Sequence, residues 1–209
     1  MKTIITILFV VLSTTAFSSK YEETMKTNID KLYQLHTSAE LQALANQFER
    51  IANAEQDKWL PNYYAAYCFM RSTFFGEMEN DTKHAQLDKA QALVDQLMKT
   101  NDDESEIHTL QAFIYQLRIT DISKGAKYSM KATDALKQAE RLNPENPRVY
   151  YLRGSNTFHT PKFFGGGAEK AKPDLEKAAK MFESNKPSNP LMPTWGNVHN
   201  GQLLSQCEE

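Results

Sequence analysis

Residues 139–158 read AERLNPENPRVYYLRGSNTF. Ala139 and Leu142 close an apolar stripe of helical spacing that begins at Tyr128 and runs through Ala132 and Leu136. Asn143-Pro144 stops it, because a proline disfavours helical geometry in the residue before it. Pro147 then sits where a first helical turn tolerates the missing N–H, and Val149, Tyr150, Leu152, Gly154 and Phe158 open a second stripe. The segment is helix, tight turn, helix. Two further linkers take equivalent places, Lys99 to Glu104 and, more loosely, Ser184 to Pro187. The spacing is about forty residues, inside the range of helical solenoids.

Elsewhere the chain shows the same three- and four-residue periodicity and no sustained alternation. Met25, Ile29, Leu32 and Tyr33 mark a first helix, and Thr37 to Glu40 form a capping box ahead of Leu41, Leu44, Ala45, Phe48, Ile51 and Ala52. Pro61 opens the helix of Tyr64 to Phe69; Asn80 and Asp81 are placed to cap the next; Asp103 and Glu106 form a second box-like pair before Ile107. Small residues recur where helices must approach closely: Ala66, Ala112 and Gly154 in first helices, Ala90, Ala132 and Ala171 in second helices. The expected fold class is all-α, a superhelix of antiparallel hairpins. Its units are an N-terminal hairpin at 19–57, repeat-like hairpins at 58–103, 104–146 and 147–187, and a capping segment at 188–209, together one domain over 19–209.

Tyr150 to Gly154, Glu169-Lys170-Ala171, Leu175 and Ala178, with the preceding Ala139 to Pro147 string, resemble the tetratricopeptide repeat. The resemblance covers residues 60 to 187. The repeats here are longer than the family's thirty-four residues, with the excess between the two helices. A further resemblance, carried by Phe163-Phe164-Gly165-Gly166-Gly167, is to exported bacterial helical proteins, including the tetratricopeptide-like T component of tripartite periplasmic transporters. In the tetratricopeptide family the first helices line a concave groove. The resemblance therefore implies groove roles for Tyr63, Tyr67 and Arg71, for Phe113 and Gln116, and for Arg148, Tyr151, Ser155 and His159. Tyr and Arg are the side chains that dominate interaction hot spots. The same tyrosines would equally serve as packing between helices, and the sequence leaves both readings open.

The first residues are MKTIITILFVVLSTTAFSS. Lys2, the apolar run Ile4 to Leu12 and the small residues Ala16 and Ser18 make a secretory signal peptide over 1–18. Export to the periplasm or beyond is expected, with no membrane span in the mature chain. The net charge is −2 with signs well mixed, so no nucleic-acid partner is expected. Cys68 lies in an apolar helix and reads as a buried thiol rather than half of a bridge to Cys207.

The five histidines form no metal-binding pair, and no catalytic motif or cofactor loop is present, so neither metal nor cofactor is expected. Gly165 to Gly167 could offer N–H groups to an anion, but a turn with Phe163 and Phe164 tucked against the neighbouring hairpin explains it as well. The reading is a non-catalytic binding or scaffold protein for a protein or peptide partner. The alternatives are an accessory subunit of solute uptake holding a small ligand, and a hydrolase with a site built across helices.

Overall fold

The structure, a computed structural model, describes residues 20–187 and 189–208. The signal peptide expected at 1–18 lies outside them. Nine α-helices and no strand occur among the described residues. They are α1 (20–32), α2 (Ser38–Ala54), α3 (Leu60–Arg71), α4 (Asn80–Leu97), α5 (Ser105–Leu117), α6 (Ile122–Leu142), α7 (Pro147–His159), α8 (Ala168–Ser184) and α9 (Asn197–Gln206). None is long and apolar enough to cross a membrane.

Local chemistry sets most of these ends. The Thr37 hydroxyl accepts from the Glu40 N–H at 3.3 Å and donates to the Glu40 carboxylate at 2.6 Å. At α7, the Asn146 carboxamide oxygen caps the Arg148 N–H at 3.0 Å, with Pro147 in the first turn. Asn146 is buried, and its amide donates to Ser105 Oγ at 3.0 Å, while Ser105 Oγ donates to the Ala139 carbonyl at 2.9 Å. One turn residue thus joins three helices. Neither Asn80 nor Asp81 caps α4, which starts at Asn80 with Glu79 in the cap position and no side-chain bond. The second box also fails: Glu104 is the N-cap of α5 without a side-chain bond, and Glu106 turns inward.

The hairpins stack as an α–α superhelix. α3 packs against α2 and α4, α5 against α6, and α7 against α8; α5 touches both α3 and α7 along the inner layer. The Arg71 guanidinium donates to the Leu32 carbonyl and so ties the end of α1 to that layer. The small residues lie at the closest approaches: Ala66, Ala90, Ala112, Ala132 and Ala171 are fully buried. A Cβ on Gly154 would stand 2.7 Å from Leu175 Cδ2 and 2.8 Å from its Cγ, so α7 and α8 meet at a distance only glycine permits. Cys68 is buried and both cysteines are free thiols.

The glycine loop differs from expectation. Phe163 and Phe164 are 91% and 67% exposed, not tucked away. Gly165 is left-handed, and Gly166 lies so close to Thr160 that a Cβ would stand 2.1 Å from its carbonyl oxygen. The three amides are spent internally, donating to the carbonyls of Lys162, Pro161 and Thr157 at 2.9, 3.2 and 2.9 Å. None of the three glycine N–H groups is left for an anion, and both rings stay largely exposed.

Gly154→Ala is expected to lower stability by about 1–3 kcal/mol through overpacking, read from urea unfolding. Adding Leu175→Ala should make the glycine substitution much less costly than it is against Leu175; equal cost in both backgrounds would show that the close approach is not the cause.

Candidate functional site

The inner layer does not form an open trough. After α8 the chain turns back through a segment rich in proline, and residues 189–196 lie along the inner face. The Tyr64 hydroxyl donates to the Leu191 carbonyl at 2.7 Å, and Thr194 Oγ1 lies 3.3 Å from the Tyr33 hydroxyl. Trp195 is the anchor, only 5% exposed. Its indole stacks on Tyr67 and on Phe113, each with ring centroids 5.4 Å apart, and meets Tyr151 edge-on at 6.4 Å. The indole N–H donates to the Tyr63 hydroxyl at 2.8 Å. Gly196, at φ 109°, follows where a Cβ would crowd Phe182, Tyr151 and Arg148.

Beneath the indole lies a buried ion pair. Arg148 donates from Nε to the Glu106 carboxylate at 2.8 Å and from a terminal nitrogen at 2.5 Å. The two residues are 8% and 5% exposed. The Arg148 guanidinium also lies 5.6 Å from the Trp195 ring centre. Two charges survive there because their fork geometry is bidentate and the cation faces an aromatic ring.

Beyond Trp195 the groove opens into a cavity of about 1060 Å³, bounded by α3, α5, α7, the start of α6, the 160–164 turn and α9. Its wall includes Tyr67, Phe74, Phe113, Tyr151, Phe164 and Trp195. Leu117, Ile119, Ile122, Met130 and Leu203 add aliphatic surface. The charged side chains of the wall are Arg71 and Asp121, joined by two imidazoles, His159 and His199. Asp121 is committed to capping α6 through the Ser123 N–H at 3.0 Å and to Lys124 at 3.3 Å.

Burial pushes the Tyr67 phenol well above its ordinary value and the Tyr151 phenol up to about 12. Burial, and then the charge of Arg71, holds His199 below the usual imidazole range. At neutral pH the phenols of Tyr67 and Tyr151 keep their protons and His199 is held toward its uncharged form beside the Arg71 cation.

Of the nine residues singled out in the sequence, seven lie in this wall: Tyr67, Arg71, Phe113, Gln116, Tyr151, Ser155 and His159. Tyr63 and Arg148 do not. Both are buried below it, Tyr63 under the indole N–H and Arg148 on Glu106, because the returning segment covers that part of the inner face. Gln116 also ties α5 to α7, donating to the Leu152 carbonyl at 2.8 Å. Trp195, His199, Gln202, Leu203 and Gln206 are wall residues that were not among the groove positions read from the sequence, and neither were Ile122, Gly125, Ala126, Ser129 and Met130 of α6. A tryptophan between Pro193 and Gly196 was the available signal, since a large aromatic in a proline-broken linker needs somewhere to be buried.

No protein-family model matches the sequence, and no curated protein matches it. Among solved structures, the HusA haemophore from Porphyromonas gingivalis is similar at 29% identity with a TM-score of 0.80, over 90% of this chain and 92% of that one. A thermophilic TPR protein from Thermus thermophilus is similar at 17% identity with a TM-score of 0.60, over 88% of this chain and 80% of that one. The tetratricopeptide-like architecture is therefore shared with known structures.

Arg148→Met should cost about 3–5 kcal/mol by leaving Glu106 buried and unpaired. Urea unfolding should show the double variant Arg148→Met/Glu106→Leu regaining most of that loss. A double variant as unstable as the single one would show that the isolated carboxylate is not the source.

Proposed function

We propose that the chain is an exported carrier that holds a large, flat, aromatic ligand with acid groups, a porphyrin or haem, in the cavity beside Trp195. The observation that carries the reading is the wall itself. Six aromatic side chains surround a space of about 1060 Å³ with a single Arg or Lys, Arg71, to meet a carboxylate. That volume stands at the upper end of ordinary ligand pockets, about 300–1000 Å³. Apolar exposure supports it as well. Phe74, Ile122, Met130 and Phe164 are among the large hydrophobic side chains left exposed, and all four border this cavity. Uncovered apolar surface gathered around one opening marks a binding site rather than chance exposure.

The likeness to a haemophore over nine-tenths of both chains favours haem over other flat ligands. The signal-like Lys2 and Ile4 to Leu12 run favours work outside the cytoplasm. Haem is cargo in this reading, not a resident cofactor. A purely carrying role is favoured because Asp121 is engaged as a cap and the wall's phenols keep their protons. An extended peptide, the partner suggested by the repeat pattern, is disfavoured because residues 189–196 already occupy much of the inner layer.

Titration with haem should quench Trp195 fluorescence and shift the Soret band together. Arg71→Gln should weaken protoporphyrin IX by roughly tenfold, the worth of one hydrogen bond to a charged group, and leave its dimethyl ester unaffected. Absence of both quenching and a Soret change in the unaltered protein would sink the proposal.

A further inference from the structure

We propose that α9 is a hinged flap, which swings away from α8 about Gly196 to admit the flat ligand and then closes over it. The inference rests on the porphyrin-carrier reading for its purpose, and on the mounting of α9 for its motion. α9 supplies Gln202, Leu203 and Gln206 to the chamber wall. It packs on α8 and on α7, and its backbone approaches neither α3 nor α5. The side of the chamber that it forms is therefore held from one edge. A rigid macrocycle cannot bend on entry, so a wall that moves aside widens its path.

The one fully buried residue of α9 is Asn200, where a docked helix ordinarily buries an apolar side chain. Its amide donates to the Leu175 carbonyl at 3.0 Å, but its carboxamide oxygen is buried without a hydrogen-bond partner among the described residues. An acceptor buried without a donor is destabilising, and undocking returns it to water. Leu175 lies inside α8, so its carbonyl keeps its helical bond when Asn200 leaves. Leu203 and Leu204 are half-buried, and the ion pair at the far end, Lys172 to Glu208, is long at 3.7 Å and exposed. Gly201 weakens the middle of the helix, although a Cβ there would meet nothing within 4 Å. Ten residues are also fewer than the roughly 12–15 that an isolated helix needs. Lids are drawn from elements of this low local stability.

The segment just before α9 is held quite differently. Trp195 is 5% exposed and bonded to Tyr63, and the Leu191 carbonyl accepts from Tyr64. Gly196, at φ 109° and ψ −34°, directly precedes the first helical residue, and its backbone is wedged among Phe182, Tyr151 and Arg148. The motion therefore has a fixed pivot: the indole stays in place while the helix beyond it turns.

The test ties the flap down. Lys172 of α8 faces Glu208 and the neighbouring Cys207, so Lys172→Cys can be joined to Cys207 by a short bis-maleimide, while the fully buried Cys68 does not compete. Stopped-flow quenching of tryptophan fluorescence by protoporphyrin IX then reads the rate of uptake. The joined protein should take up the porphyrin at least about tenfold more slowly than the same variant left unjoined, because association slows when its conformational step is blocked. The unaltered chain with Cys207 capped by N-ethylmaleimide should keep its rate. Hydrogen exchange on the unaltered protein gives a second measure. Amides of residues 201–206 should exchange at least about tenfold faster than those of α7, and saturating protoporphyrin IX should slow them by about tenfold or more. An unchanged uptake rate in the joined protein would overturn the flap, and so would α9 amides as slow to exchange as those of α7. If the unaltered protein takes up no porphyrin, the carrier reading falls, and hydrogen exchange alone then decides whether α9 opens.

Discussion

The buried pair of Arg148 and Glu106 is the contact on which the inner face depends. Removing two charges from water costs several kcal/mol per ion, and only good geometry recovers it. Here the carboxylate of α5 takes two guanidinium nitrogens of α7, so the two helices are locked in one register. The cation is then available to the indole above it, and the Tyr63 hydroxyl receives the indole N–H. A charged pair that contributes little net stability can still be decisive in excluding other arrangements, because any alternative packing strands an ion. The tryptophan, the stacking on Tyr67 and Phe113, and the cavity beyond them all follow from that seat.

How far the sequence can be read is set by how far its interactions reach. The Thr37 box, Pro147 and Asn146 at the start of α7, and the small residue at Gly154 are local signals, and each lies where the periodicity places it. The same holds for the inner-layer positions of Tyr67, Phe113 and Tyr151, since helical spacing decides which side chains share a face. The misreadings involve partners distant in sequence. Glu106 looks like a capping residue until Arg148, on another hairpin, is brought to it. Arg148 looks like a groove residue until Trp195 covers it. Phe163 and Phe164 look like packing residues, yet the glycine amides close the turn on itself and leave the rings outside.

Trp195 also marks where this chain departs from an open solenoid. A row of helical hairpins leaves a concave surface suited to long partners. Seating residues 189–196 on that surface converts part of it into a core and leaves a bounded chamber beside it. The change requires no new element in the repeats. It requires a proline-broken, non-helical linker, one aromatic anchor, and a glycine that lets the backbone pass beside Phe182.

That arrangement has a consequence for timing. The indole and α9 come after every other part of the chamber in chain order. A polypeptide that emerges amino end first can stack its hairpins as they appear, but the chamber has no far side until the last of these segments is free to swing back. The chamber is thereby completed only once the last helix has returned to the inner face.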